Sequence, residues 1–125
     1  MLENIIYVDD EEDIREVALI ALEDIGGFVV KAFASAMALL QALPPPPDLI
    51  LLDVMMPGMD GPALLRELRK KPGFASIPAI FMTAKVQPSE VQALLADGAI
   101  GVVAKPFDPM TLAGEIIKLW ERAKG

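Results

Sequence analysis

LILLDVMMPGMDG, residues 49–61, contains the run that decides the architecture. Leu49–Leu52 is apolar without interruption, too short for a helix and without the alternation of a half-exposed strand, so it reads as a parallel strand buried on both faces. Asp53 ends the run. The loop that follows, Val54 to Gly61, carries Pro57, Gly58 and Gly61, residues suited to turns and to close backbone approach. Gly61-Pro62 then opens a helix with Leu64, Leu65 and Leu68 on one side, stopped by Pro72-Gly73.

This strand–loop–helix unit recurs in both directions along the chain. Further short apolar or β-branched runs lie at Asn4–Val8, Phe28–Phe33, Ala79–Met82 and Gly101–Ala104, and the Phe28 run carries Lys31, which suits an edge. Between them, Ile14, Val17, Ala18, Ala21, Leu22 and Ile25 predict one buried helix face ending at Gly26-Gly27. Ser35 caps a second helix through Ala42. A fourth helix follows Pro88, buries Val91, Leu94 and Leu95 and closes at Asp97-Gly98. A fifth has Asp108 as N-cap, Pro109 in its first position and a stripe of Leu112, Ile116, Leu119 and Ala123. Strict alternation implies right-handed crossovers, hence a doubly wound α/β fold with five parallel strands and helices on both faces. The flavodoxin-like order 2-1-3-4-5 suits a chain of this length and sets strands 1 and 3 side by side at the switch point where ligands bind.

Composition narrows the chemistry. The chain has 125 residues, enough for one domain, and a net charge of −7, which disfavours direct nucleic acid or anionic membrane binding. It contains neither cysteine nor histidine, which removes thiol nucleophiles, disulfides and the commonest transition-metal ligands, and leaves hard, oxygen-liganded ions as the expected metals. Pro44–Pro47 reads as a stiff connection. The start of the chain has no basic, apolar export signal, and no apolar run is long enough to span a bilayer, so a cytoplasmic location is expected.

The carboxyl ends of the strands hold the candidate site: Asp9 and Asp10 after strand 1, Asp53 after strand 3, Thr83 after strand 4 and Lys105 after strand 5. Neighbouring strands bring the three carboxylates together, and close anions oppose one another's ionisation unless a cation joins them. Mg2+ fits, because it takes a few carboxylate oxygens together with water and phosphate. Lys105 and the Thr83 hydroxyl can meet phosphoryl oxygens, and Asp53 is the plausible covalent acceptor. Blander readings exist for each part. Asp9-Asp10 could cap a helix, Asp53 could start a turn, Lys105 could be a surface lysine, and Met55, Met56 and Met59 read as adaptable packing. Glu11, Glu12 and Asp13 read as a solvated first turn except where Glu11 faces the site, and Arg66, Glu67, Arg69, Lys70 and Lys71 as an outer helix face.

VDDEEDIR (8–15), LLDVMMPGMDG (51–61), MTAK (82–85) and AKPF (104–107) occur in an order and spacing that resembles the bacterial two-component response-regulator receiver domain, of the chemotaxis-regulator kind. The resemblance covers the chain as a single receiver domain, residues 1–125. It implies that Asp53 is the phosphoacceptor, that Asp10 binds Mg2+ directly and Asp9 through water, and that the Met55 backbone carbonyl adds a ligand. It implies that Thr83 and Lys105 bind the phosphoryl oxygens and that the Lys105-Pro106 peptide is cis. The implied partner is a sensor histidine kinase or histidine phosphotransfer protein. The surface of helix 4, strand 5 and helix 5 is then the place for an output partner, a linked output domain or a homodimer. One departure concerns signalling: Val102 stands where many receivers carry a Tyr or Phe, and a stiff β-branched side chain at the strand surface cannot make the same swing. Met55 and Lys85 occupy positions that tune phosphoaspartate lifetime, and apolar Met55 cannot orient an attacking water, so slow self-dephosphorylation is expected. The competing functions are a magnesium-dependent phosphohydrolase with an aspartyl nucleophile, for which Met55 stands where a second Asp is wanted, and an unphosphorylated binding module, against which the three acids argue.

Overall fold

The computed structural model describes residues 1–124, in which strands and helices alternate along the chain. The strands are β1 Asn4–Val8, β2 Val29–Phe33, β3 Leu49–Asp53, β4 Ala79–Thr83 and β5 Gly101–Ala104. The helices are α1 Glu12–Leu19, prolonged by wider π-type turns over Ile20–Ile25, then α2 Ala36–Ala42, α3 Gly61–Arg69, α4 Pro88–Ala96 and α5 Leu112–Lys124. All neighbouring strands are parallel, in the order β2-β1-β3-β4-β5, as the sequence pattern predicts.

Successive side chains of a strand point to opposite faces, and the central strands divide accordingly. Ile5, Tyr7, Leu49, Leu51, Ile80 and Met82 face one layer with Ala18, Ala21 and Leu22 of α1 and Leu112, Ala113 and Ile116 of α5. Ile6, Val8, Ile50, Leu52, Ala79 and Phe81 face the other, with Leu39 of α2, Leu64, Leu65 and Leu68 of α3, and Leu94 of α4. β3 is buried along its whole length, which explains its unbroken apolar run. Each fully buried Leu stabilises the fold by about 1.5–3 kcal/mol, so this two-faced sheet is a rigid platform for its strand ends.

Several expectations need correction. Val17 and Ile25 are 41% and 44% exposed, so the buried stripe of α1 is narrower than the apolar pattern. The wider turns account for Ile25: the Gly26 N–H donates to the carbonyl of Ala21, five residues back, and the added residue rotates Ile25 off the stripe. The same end of α1 lies so close to α5 that a Cβ on Gly26 would stand 2.9 Å from the Ala113 Cβ. In α4 only Leu94 is buried, Leu95 being exposed, because this helix touches the sheet mainly at β5. β2 begins at Val29, with Phe28 still in the core. Asp108 accepts from the Met110 N–H through its side chain and from the Leu112 N–H through its carbonyl, making a separate turn, so α5 starts at Leu112 and not at Pro109. Ala123 is exposed. Arg69 leaves the outer face of α3 and donates to the carbonyls of Phe74 and Ile77, tying down the connection to β4. Val102 is half-buried against the layer that includes Leu94, so it is not at the strand surface. The other cap predicted from sequence is present: Ser35 Oγ accepts from the Ala38 N–H at 3.1 Å and starts α2.

Candidate functional site

Parallel pairing aligns the ends of β1, β3, β4 and β5 at one edge of the sheet. Val8 pairs with Leu52, so Asp9 leaves β1 beside Asp53 at the tip of β3, as strand order predicts. Asp9, Asp10, Glu11 and Asp53 each present a carboxylate oxygen, and these lie within 4.8 Å of one another. Lys105, just after the end of β5, joins them, its Nζ 3.2 Å from Asp53 Oδ1, 3.2 Å from Glu11 Oε1 and 3.4 Å from Asp9 Oδ2. Lys105 is therefore a half-buried hub among the acids and not a free surface lysine. The Lys105-Pro106 peptide that precedes α5 is cis.

The loop after β3 returns to its own start. The Gly61 N–H donates to the Val54 carbonyl at 3.0 Å, and a Cβ on Gly61 would lie 2.5 Å from the Asp53 carbonyl oxygen. Glycine is thus required where α3 meets β3, and Asp60 caps that helix by accepting from the Ala63 N–H. Met55, in this loop, is 62% exposed and lines the site crevice of about 310 Å³ with Thr83, Asp53 and Lys105. Thr83 is buried, and its hydroxyl oxygen accepts from the Lys85 N–H at 3.0 Å, which leaves its proton available to a ligand.

Electrostatics here are unbalanced. Asp9 and Asp53 are buried. Burial first, and the Asp9 charge second, push the Asp53 carboxyl up to about 7 against the pull of Lys105. Burial acts to lower Lys105, and the carboxylates of Asp9 and Asp53 more than reverse it, raising its pKa. One ammonium stands among four acids, and Asp10 Oδ1 and Asp53 Oδ2 are buried with no hydrogen-bond partner among the described residues. Unpartnered oxygens of this kind fit a hard divalent cation, and with no Cys or His in the chain the donor set is all oxygen.

Two contacts to Asp9 escape a sequence reading. The Tyr7 hydroxyl donates to Asp9 Oδ2 at 3.0 Å, and Arg15 donates to the Asp9 carbonyl at 2.8 Å. Tyr7 was findable in principle: a phenol inside an apolar strand needs an acceptor, and the residue two positions on shares its face. The helix-cap reading of Asp9 does not hold: Glu11 is the N-cap of α1 and no side chain caps that helix, while Asp9 Oδ1 accepts from the Glu11 N–H at 3.0 Å in a turn ahead of it.

Residues 5–117 match the family described as the response regulator receiver domain. The transcriptional regulatory protein CseB of Streptomyces avermitilis is 37% identical over 114 residues, covering 90% of this chain and 47% of that protein. The phosphate regulon transcriptional regulatory protein PhoB of Escherichia coli is 34% identical over 122 residues, covering 98% of this chain and 53% of that protein. The chain thus spans about half the length of these curated relatives. Among solved structures, the chemotaxis response regulator CheY4 of Vibrio cholerae superposes with a TM-score of 0.85 at 30% identity, covering 95% of this chain and 99% of that one.

Proposed function

The chain belongs to the response regulator receiver domain family, and from that premise we propose that Asp53 accepts a phosphoryl group from a phosphohistidine on a sensor kinase or phosphotransfer protein. The observation that carries the assignment is the buried Asp53 carboxylate at the tip of β3, bridged to Asp9 and Glu11 by Lys105. In the transfer, an Asp53 carboxylate oxygen attacks phosphorus, a P–O bond forms, and the P–N bond breaks with its electron pair left on the imidazole nitrogen. Asp53 must be ionised to attack, and a carboxyl with a pKa of about 7 is only partly so at neutral pH.

Mg2+ held by Asp10, Asp53 and the Met55 carbonyl, with Asp9 behind them, would favour the ionised form and offset charge on the phosphoryl oxygens. Lys105 can then turn from Asp53 Oδ1 to the new oxygens, and Thr83 can donate its hydroxyl proton to one of them. The resulting signal is a Thr83-led shift of the β4–α4 region, with half-buried Val102 restricting what β5 contributes. Its recipient is a separate protein or a linked output domain. The α4–β5–α5 face, where Leu95 of α4 is exposed, is where a partner or second copy would sit.

Incubation with acetyl phosphate and MgCl2 should add the mass of one phosphoryl group to the wild type, and Asp53→Ala should add none. The label should outlast seconds once donor is removed, since Met55 offers no group to orient water. Equal labelling of Asp53→Ala would sink the assignment.

A further inference from the structure

Tyr7 lies on β1 one turn of the pleat before the acids, fully buried, and its only polar atom is spent on Asp9 Oδ2 at 3.0 Å. Asp9 is itself fully buried, and its other oxygen is held by the Glu11 N–H at 3.0 Å. Two neutral donors therefore fix the plane of this carboxylate. Lys105 reaches the same Oδ2 at 3.4 Å, longer than its 3.2 Å contacts to Asp53 and Glu11. The two donors to Oδ2 differ in kind. Lys105 is on a flexible stem and is shared among three acids, whereas the Tyr7 ring is locked in the core layer with Ile5, Leu49 and Leu51.

We infer that Tyr7 is a positioning residue for the cation site: its hydroxyl holds Asp9 in place when Lys105 moves off Oδ2 toward a ligand on Asp53. This rests on the reading that Asp9, Asp10 and Asp53 gather around Mg2+. Without the hydroxyl, Lys105 can still satisfy Oδ2 in the metal-free protein. Binding of a cation, which competes with Lys105 for the carboxylates, would then leave a buried Asp9 oxygen unpaired and the carboxylate free to turn.

The test is a calorimetric titration of wild type and Tyr7→Phe with MgCl2 alone, beside urea unfolding of both without metal. Phe fills the same volume, so the fold is kept. Removal of a partner that orients a metal-binding side chain commonly weakens affinity 10–100-fold, and at least the lower end, about tenfold, is expected here, with little change in metal-free stability. Equal Mg2+ affinity in the two proteins overturns the role of Tyr7 while leaving the metal reading intact. Lower metal-free stability with unchanged affinity makes the hydrogen bond merely structural and overturns it equally. A wild type that does not bind Mg2+ overturns the metal reading, and the role of Tyr7 with it.

Discussion

Asp48 and Asp53 stand at opposite ends of one strand and have opposite surroundings. Asp48, just before β3, accepts from the Glu3 and Asn4 N–H groups at 2.9 Å each through Oδ2, and these bonds, Asn4 first, hold its carboxyl below the usual range. Asp53, the last residue of β3, is buried beside Asp9, has one oxygen on Lys105 and the other without a partner, and is pushed up to about 7. At the amino end of the sheet the start of β1 offers free donors, so an acid there is compensated locally and contributes to folding. At the carboxyl end several acids converge on one lysine, so the same residue type is left short of positive charge and becomes responsive to whatever brings it.

The largest effect should come from removing that lysine. Lys105→Met leaves Asp9 and Asp53 without their ammonium, and breaking a buried pair from one side costs about 3–5 kcal/mol. Urea unfolding of the metal-free protein at pH 8 should show most of this loss, and at pH 5, where Asp53 carries a proton, clearly less. Equal losses at the two pH values would mean that Lys105 matters for packing and not for charge. Next in size is Asp53→Asn. Because the folded-state pKa of Asp53 lies above its unfolded value, the stability linked to its bound proton is present below about pH 4 and lost as pH rises through about 7. Metal-free Asp53→Asn should therefore exceed the wild type by roughly 2–4 kcal/mol at pH 8 and match it near pH 4. Saturating Mg2+ should shrink the difference; a gap independent of both pH and Mg2+ would refute the charge explanation.

That imbalance was partly legible in the sequence. The apolar run of β3 and the alternation of strand and helix are sufficient to place Asp9, Asp10 and Asp53 together, because a parallel sheet allows their strands few other arrangements. What the pattern could not carry was the inner arrangement. Tyr7 reads as packing inside Asn4–Val8, and only the two-residue period of a strand connects its hydroxyl to Asp9. Lys105 and Glu11 are 94 residues apart, and no local signal pairs them. Hydropathy alone points Val17 and Leu95 at the core because it reports what a helix could bury, while the sheet face under α1 is shared with α5 and α4 rests chiefly on β5. Asp48, a lone acid after four prolines, gave no sign that it would tie down the start of β1.

Asp48 supplies the smallest prediction and the sharpest control. Asp48→Ala removes two charge-assisted bonds at a partly exposed position and should lower stability by about 1 kcal/mol at pH 7. Its sign with pH is the reverse of Asp53: a carboxyl held low contributes above its unfolded value near 4 and loses that contribution as pH falls through the lower folded value. The wild-type advantage over Asp48→Ala should therefore narrow in acid, where the advantage of Asp53→Asn over the wild type also disappears. Because the Asp48 side chain shares no partner with the acidic site, its removal should leave Mg2+ affinity and labelling by acetyl phosphate unchanged, and the stability changes of Asp48→Ala and Asp53→Asn should add within about 0.5 kcal/mol. A double variant that departs further from additivity would show that β3 transmits strain from one end of the sheet to the other, and the division between a compensated end and a responsive one would have to be abandoned.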